Sequence, residues 1–105
     1  MSIINITKDN FEKEVLQSDK RVLLDFWATW CGPCQMFSPI VEEFAKEHEE
    51  YVVGKVNTDE EKDLALQFEI YSIPTVVVLD KGTEINRLSG VLPMDILTSL
   101  MKSEE

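Results

Sequence analysis

The spacing of apolar positions switches repeatedly along this chain, and each switch marks the edge of an element. "SIINI", residues 2–6, is a short β-prone run. In "TKDNFEKEVLQ", Phe11, Val15 and Leu16 recur at helical spacing, with Thr7 or Asp9 as the expected N-cap and Glu12 three residues beyond Asp9. "RVLLDFWA" is almost unbroken in its apolarity, which predicts a strand buried on both faces of a sheet. Phe37, Ile40, Val41, Phe44 and Ala45 then line one face of a helix that Pro39 should kink. "YVVGKVNT" predicts a further buried strand, and "DEEKDLALQF" a helix capped by Asp59 with acids in its first turn. "PTVVVLD" and "EINRLSG" flank "DKG", the pattern of an antiparallel hairpin. A last helix, "PMDILTSLMK", has Pro93 at its first position and Ile96, Leu97, Leu100 and Met101 on its apolar side. The order β-α-β-α-β-α-β-β-α predicts an α/β fold: a mixed central sheet of about five strands with helices on both faces.

Composition narrows the picture. A chain of 105 residues, 44% hydrophobic and poor in glycine and proline, is expected to form a single domain over 1–105. Ten basic against twenty acidic residues leave a net charge of −10, which repels nucleic-acid phosphates and anionic membrane surfaces. The acidic runs "EEFAKEHEE", "DEEKD" and the terminal "SEE" have the character of solvated surface, and secondarily of a field that selects partners with a basic rim. The opening "MSIINITKDN" lacks the basic-then-apolar pattern of a signal peptide, and no apolar run approaches a membrane span. A cytoplasmic location is therefore expected.

Both cysteines fall within four positions, in "DFWATWCGPCQM". In a reducing cytosol such a pair is more often catalytic or metal-binding than a structural cross-link. The strand before Cys31 ends near Ala28 and the helical pattern starts after Cys34, so Cys31 falls at a helix N-terminus. Unpaired N–H groups and the macrodipole there favour a thiolate, the reactive form of the thiol. Cys34, one turn further in, faces the protein more than solvent, so an exposed acidic thiol with a partner behind it forms a two-electron switch. Three duller readings compete. A disulfide closing so short a loop gains roughly 2 kcal/mol in chain entropy. Zinc needs four ligands, whereas the chain offers two thiols and one histidine, His48, several turns away. Inert core cysteines have no reason to flank Gly-Pro at a helix start. Redox chemistry is the favoured reading.

"FWATWCGPC" resembles the active-site segment of the thioredoxin family, of the bacterial type, and the likeness extends through "LLDFWA", the helix with its internal proline, "VNTDE", "SIPTVVVLD", "KG" and "LSG". The resemblance spans essentially the whole chain and implies the thioredoxin fold and protein-disulfide reduction by thiol–disulfide exchange. It implies Cys31 as nucleophile, Cys34 as resolving thiol, Asp25 as proton acceptor for Cys34, and Lys55 as a supporting residue near Asp25. It implies a cis Ile73–Pro74 peptide opposite the disulfide, whose preceding backbone pairs with an extended client strand. Trp30, Gly32, Pro33, Ile73 and Val91 would form a flat docking patch with Gly90 beside it, while Trp27 supports the site from within. The implied partners are a thioredoxin reductase and client proteins bearing disulfides, acting on a monomer, with no bound cofactor and no metal.

Gly-Pro between the cysteines is the pairing of the reductant branch; oxidant and isomerase branches usually carry a histidine there. Four features depart from the commoner pattern: Gln35 in place of a lysine or arginine, Tyr71-Ser72 in place of a pair ending in glycine, Leu92 where a polar cap is usual, and the large negative charge. They bear on client range and choice of reductase. Two other classes stay open on sequence alone, an interaction subunit without turnover and a metal-binding module.

Overall fold

Five β-prone runs assemble into one mixed sheet in the computed structural model, which describes residues 3–103. Ser2, at the head of the first predicted strand, and Glu104 and Glu105 of the terminal acidic run lie outside those residues. The strands are β1 (Ile3–Asn5), β2 (Val22–Trp27), β3 (Val52–Asn57), β4 (Thr75–Asp80) and β5 (Thr83–Ser89), in the spatial order β1-β3-β2-β4-β5. β3 runs parallel to both β1 and β2, whereas β4 is antiparallel to β2 and to β5. The helices are α1 (Gly32–Glu47), α2 (Lys62–Gln67) and α3 (Met94–Met101), preceded by a π-helical segment, Glu12–Leu16. This is the expected mixed sheet with helices on both faces.

Alternation along β2 and β4 explains their unbroken apolar runs. Val22, Leu24, Phe26, Val77 and Leu79 pack on one side with Phe11, Val15, Leu64 and Phe68, from the π-helical segment and α2. Leu23, Val76 and Val78 face the other way, into a core completed by Phe37, Val41, Phe44, Leu97 and Met101 of α1 and α3. A strand buried on both faces has no room for a polar position, and full burial of each such side chain contributes about 1.5–3 kcal/mol. The polar residue Asp25 interrupts this pattern on the face that α1 covers.

Local structure departs from expectation at three element starts. The first helix is a π turn: the Gln17 N–H reaches back to the Glu12 carbonyl at 3.0 Å. Neither Thr7 nor Asp9 caps it. Asn10 Oδ1 accepts from the Thr7 N–H and Thr7 Oγ1 from the Asp9 N–H, closing the preceding turn instead. The α2 entry is held by Asn57, whose Oδ1 accepts from the Asp59 and Glu60 N–H groups, so Asp59 is not the cap. Pro93 precedes the first residue of α3 with extended backbone, and Leu92 is buried in the core, so a polar cap gives way to packing. The hairpin turn has Lys81 and Gly82 both at positive φ, 51° and 84°, the two-residue geometry that matches strand twist. α1 continues through Pro39 to Glu47.

Register brings the distant segments to one end of the sheet. Trp27 pairs with Asn57, Phe26 with Thr75, and Thr75 with Ser89. The carboxyl ends of β2, β3 and β5 and the amino end of β4 therefore meet, the usual location for function in α/β sheets. Gly54 makes the close packing of β1, β2 and β3 possible, since a Cβ there would lie 2.6 Å from Ile6 Cγ1 and 3.1 Å from Leu24 Cδ2. Gly54→Ala is expected to destabilise the chain by about 1–3 kcal/mol, measured by denaturant unfolding; an unchanged midpoint would contradict this packing.

Candidate active site

Cys31 is the N-cap of α1. Its backbone is extended (φ −93°, ψ 110°), its carbonyl accepts from the Gln35 N–H, and its Sγ accepts from the Cys34 N–H at 3.1 Å. The sulfur thus takes the place that a serine or aspartate oxygen fills at ordinary helix starts. Pro33 in the first turn lacks an N–H that would be unpaired there anyway. Cys31 and Cys34 form a disulfide with a Cα–Cα distance of 5.2 Å. In this oxidised form Cys31 is 5% exposed and Cys34 3%, so the expected contrast between an exposed and a hidden sulfur is not seen. Both pack with Ala28 against Trp27 and Ile73, which covers them.

Beneath α1 lies the buried carboxylate. Asp25 is 1% exposed and its Oδ1 has no hydrogen-bond partner among the described residues. Burial pushes its pKa up from 3.8 to about 6, against a smaller opposing pull from the Lys55 charge. Lys55 stands beside Asp25 in the β2–β3 register. Its Nζ donates to Ser38 Oγ on α1 at 2.7 Å and lies 5.3 Å from the centre of the Trp27 ring. Ser38 is one turn beyond Cys34 on the same helix, so α1 crosses the Asp25–Lys55 pair just past its second cysteine.

Around the disulfide the surface is mostly apolar. Trp30 is 70% exposed and is braced by its Nε1, which donates to Asp59 Oδ2 at 2.8 Å. Gly32 and Pro33 are exposed at the helix start, and Val91 is exposed beyond β5. The Ile73–Pro74 peptide is cis, as the resemblance implies, and the Ile73 carbonyl oxygen lies 3.9 Å from Cys31 Sγ. Gly90 serves through its backbone: φ is 112° and its N–H donates to the Pro74 carbonyl, while a Cβ there would meet no atom within 4 Å. Tyr71, which precedes Ser72 in the chain, is 90% exposed.

Asp59, Ser38 and Gln35 are the site residues that the sequence pattern did not assign. Asp59 was legible only as a helix cap. Gln35 donates from Nε2 to the Thr29 carbonyl, tying the loop before Cys31 to the helix after it. His48 ends α1, about 24 Å along the helix from its start, stacked on Phe44 with ring centres 4.5 Å apart. Among the described residues no group of three or more His, Cys, Asp or Glu is placed to hold a metal ion.

Comparison with known proteins fits this geometry. The family model Thioredoxin matches residues 2–103. A protein named Thioredoxin from Chlorobaculum thiosulfatiphilum is 42% identical over 92 residues, covering 87% of this chain and 85% of its own length. Thioredoxin 1 of a Nostoc species is 43% identical over 98 residues, 92% of each chain. Thioredoxin of Alicyclobacillus acidocaldarius is 44% identical over 95 residues, 90% of each.

The raised Asp25 pKa has a definite sign for stability. The folded chain holds the proton more tightly than the unfolded one, so this contribution is fully present below pH 3.8 and is lost as pH rises through about 6. Above that pH the ionised group costs about 3 kcal/mol. Asp25→Asn is therefore expected to stabilise the protein at pH 7 by up to that amount and to flatten the decline between pH 4 and 7, as read by urea unfolding at several pH values. A less stable variant at pH 7 would contradict the burial argument.

Proposed function

This chain belongs to the thioredoxin family and is a protein-disulfide oxidoreductase; we propose that within that class it works as a reductant of client proteins, through Cys31 and Cys34, and is itself renewed by a thioredoxin reductase. The observation that carries this reading is the Cys31 sulfur seated on the first turn of α1, in a disulfide with the only other cysteine.

In the reduced form the Cys31 thiolate attacks one sulfur of a client disulfide. A Cys31–client bond forms and the second client sulfur leaves as thiolate. Asp25, ionised at neutral pH because its pKa lies near 6, takes the Cys34 proton directly or through water. Cys34 then attacks Cys31 Sγ, the mixed disulfide breaks, and the client departs with both sulfurs reduced. Two electrons have moved, and the chain holds the Cys31–Cys34 disulfide. Lys55 supports the step by its charge beside Asp25, which keeps the carboxyl from titrating higher still.

Trp30, Gly32, Pro33 and Val91 supply the flat face on which a client rests, and the backbone at Ile73, just before Pro74, pairs with its extended strand. Gly90 holds the adjoining turn by its bond to the Pro74 carbonyl. The chain acts as a monomer and a single domain over 1–105. A reducing compartment, and so a cytoplasmic setting, goes with this reading, since the disulfide must be reduced again after each turnover.

Bovine insulin supplies the test, with dithiothreitol as electron source. The wild-type chain is expected to accelerate precipitation of the reduced B chain, whereas Cys34→Ser stops after one attack. Mixed with insulin after the dithiothreitol has been removed, that variant should carry insulin as a reducible adduct on Cys31, seen by mass spectrometry without reductant. A wild-type chain that leaves insulin intact, or a variant that captures none, would remove the basis for turnover.

A further inference from the structure

Three hydroxyls close a ring behind the backbone that faces the disulfide. Thr75 Oγ1 lies 2.6 Å from the Ser72 carbonyl oxygen, Ser89 Oγ lies 2.7 Å from Thr75 Oγ1, and Ser72 Oγ lies 3.2 Å from Ser89 Oγ. The direction of every proton follows from the carbonyl, which only accepts. Thr75 must donate to it, so Thr75 has no proton left and accepts from Ser89. Ser89 is then spent as a donor and accepts from Ser72. The chain of donors begins and ends on one residue, Ser72, and each bond polarises the next.

The Ser72–Ile73 peptide is trans, unlike the one that follows it, so its C=O and N–H point to opposite sides. Drawing the carbonyl onto Thr75 turns the Ile73 N–H away from the sheet. The Ile73 carbonyl already faces Cys31 Sγ, and the Ile73 N–H has no acceptor among the described residues. One peptide plane thus decides where the free Ile73 donor beside the disulfide points.

We propose that this ring sets the Ile73 N–H for backbone pairing with a protein client, which makes Ser72 and Ser89 positioning residues for protein substrates. The proposal rests on the reading of this chain as a client-disulfide reductant. It predicts discrimination by substrate type: a disulfide embedded in a peptide uses the N–H, and a small aromatic disulfide has no strand to pair.

The experiment compares insulin with 5,5′-dithiobis(2-nitrobenzoic acid) as substrates of the full chain. Ser89→Ala is expected to raise the insulin KM about 2- to 10-fold, the value of one neutral hydrogen bond, with kcat and the rate on the small disulfide unchanged. Ser72→Ala, which leaves the Ser89–Thr75 and Thr75–carbonyl bonds in place, should raise it in the same direction but by no more than Ser89→Ala. The double variant should be no worse than Ser89→Ala alone, because without Ser89 the Ser72 hydroxyl has no partner in the ring, and Ser89→Thr should keep the wild-type KM. Unchanged KM values, equal slowing on both substrates, additive losses, or a raised KM in Ser89→Thr would each overturn the proposal. A wild-type chain inactive on both disulfides would instead remove the reading beneath it.

Discussion

The bond from the Cys34 N–H to Cys31 Sγ is the contact on which the rest of the site depends. A helix start leaves N–H groups without intrahelical partners, and this chain spends one of them on sulfur rather than on a serine or aspartate oxygen. That choice aligns the macrodipole with the Cys31 sulfur, where it favours the thiolate form. It also fixes the distance to the second cysteine, one turn along the same helix. Strand β2 delivers the chain to this point, and register with β3, β4 and β5 gathers the remaining segments around it.

Asp25 shows what the fold gives up for this arrangement. A carboxylate on the α1 side of a central strand meets a core of valine, leucine and phenylalanine, and Lys55 compensates only in part while its own ammonium bonds Ser38. The penalty lands on the charged form and so brings the pKa near neutrality, where a base is useful. In the proposed exchange, stability and reactivity are therefore opposed at one side chain. The same logic explains why the surrounding strands are so apolar: a more polar wall would solvate Asp25 and return it to an ordinary acid.

Much of this was legible in the sequence where a single period or a short motif carries the information. The unbroken runs of β2 and β4, the hairpin about Lys81-Gly82, the apolar face of α1 and the cysteines at its start all follow from local pattern. Capping was less legible, because Thr7, Asp9, Asn10, Asn57 and Asp59 are chemically similar and only the backbone path decides which oxygen turns inward. The π turn at Glu12–Leu16 was hidden because Phe11 and Val15 suit either helix. The hydroxyl ring was illegible for a different reason. A register shift between Val78 and Leu79 puts Ser89 opposite Thr75, where counting back from the turn would have put Leu88. Nothing local in "TEINRLSG" announces that extra residue.

The start of α1 is expected to make Cys31 an acid stronger than free cysteine. Alkylation of Cys31 by iodoacetamide in the Cys34→Ser chain, followed as a function of pH, measures it directly. The expected midpoint lies at least about one unit below the ~8.5 of an unperturbed thiol. A midpoint at or above that value would contradict it.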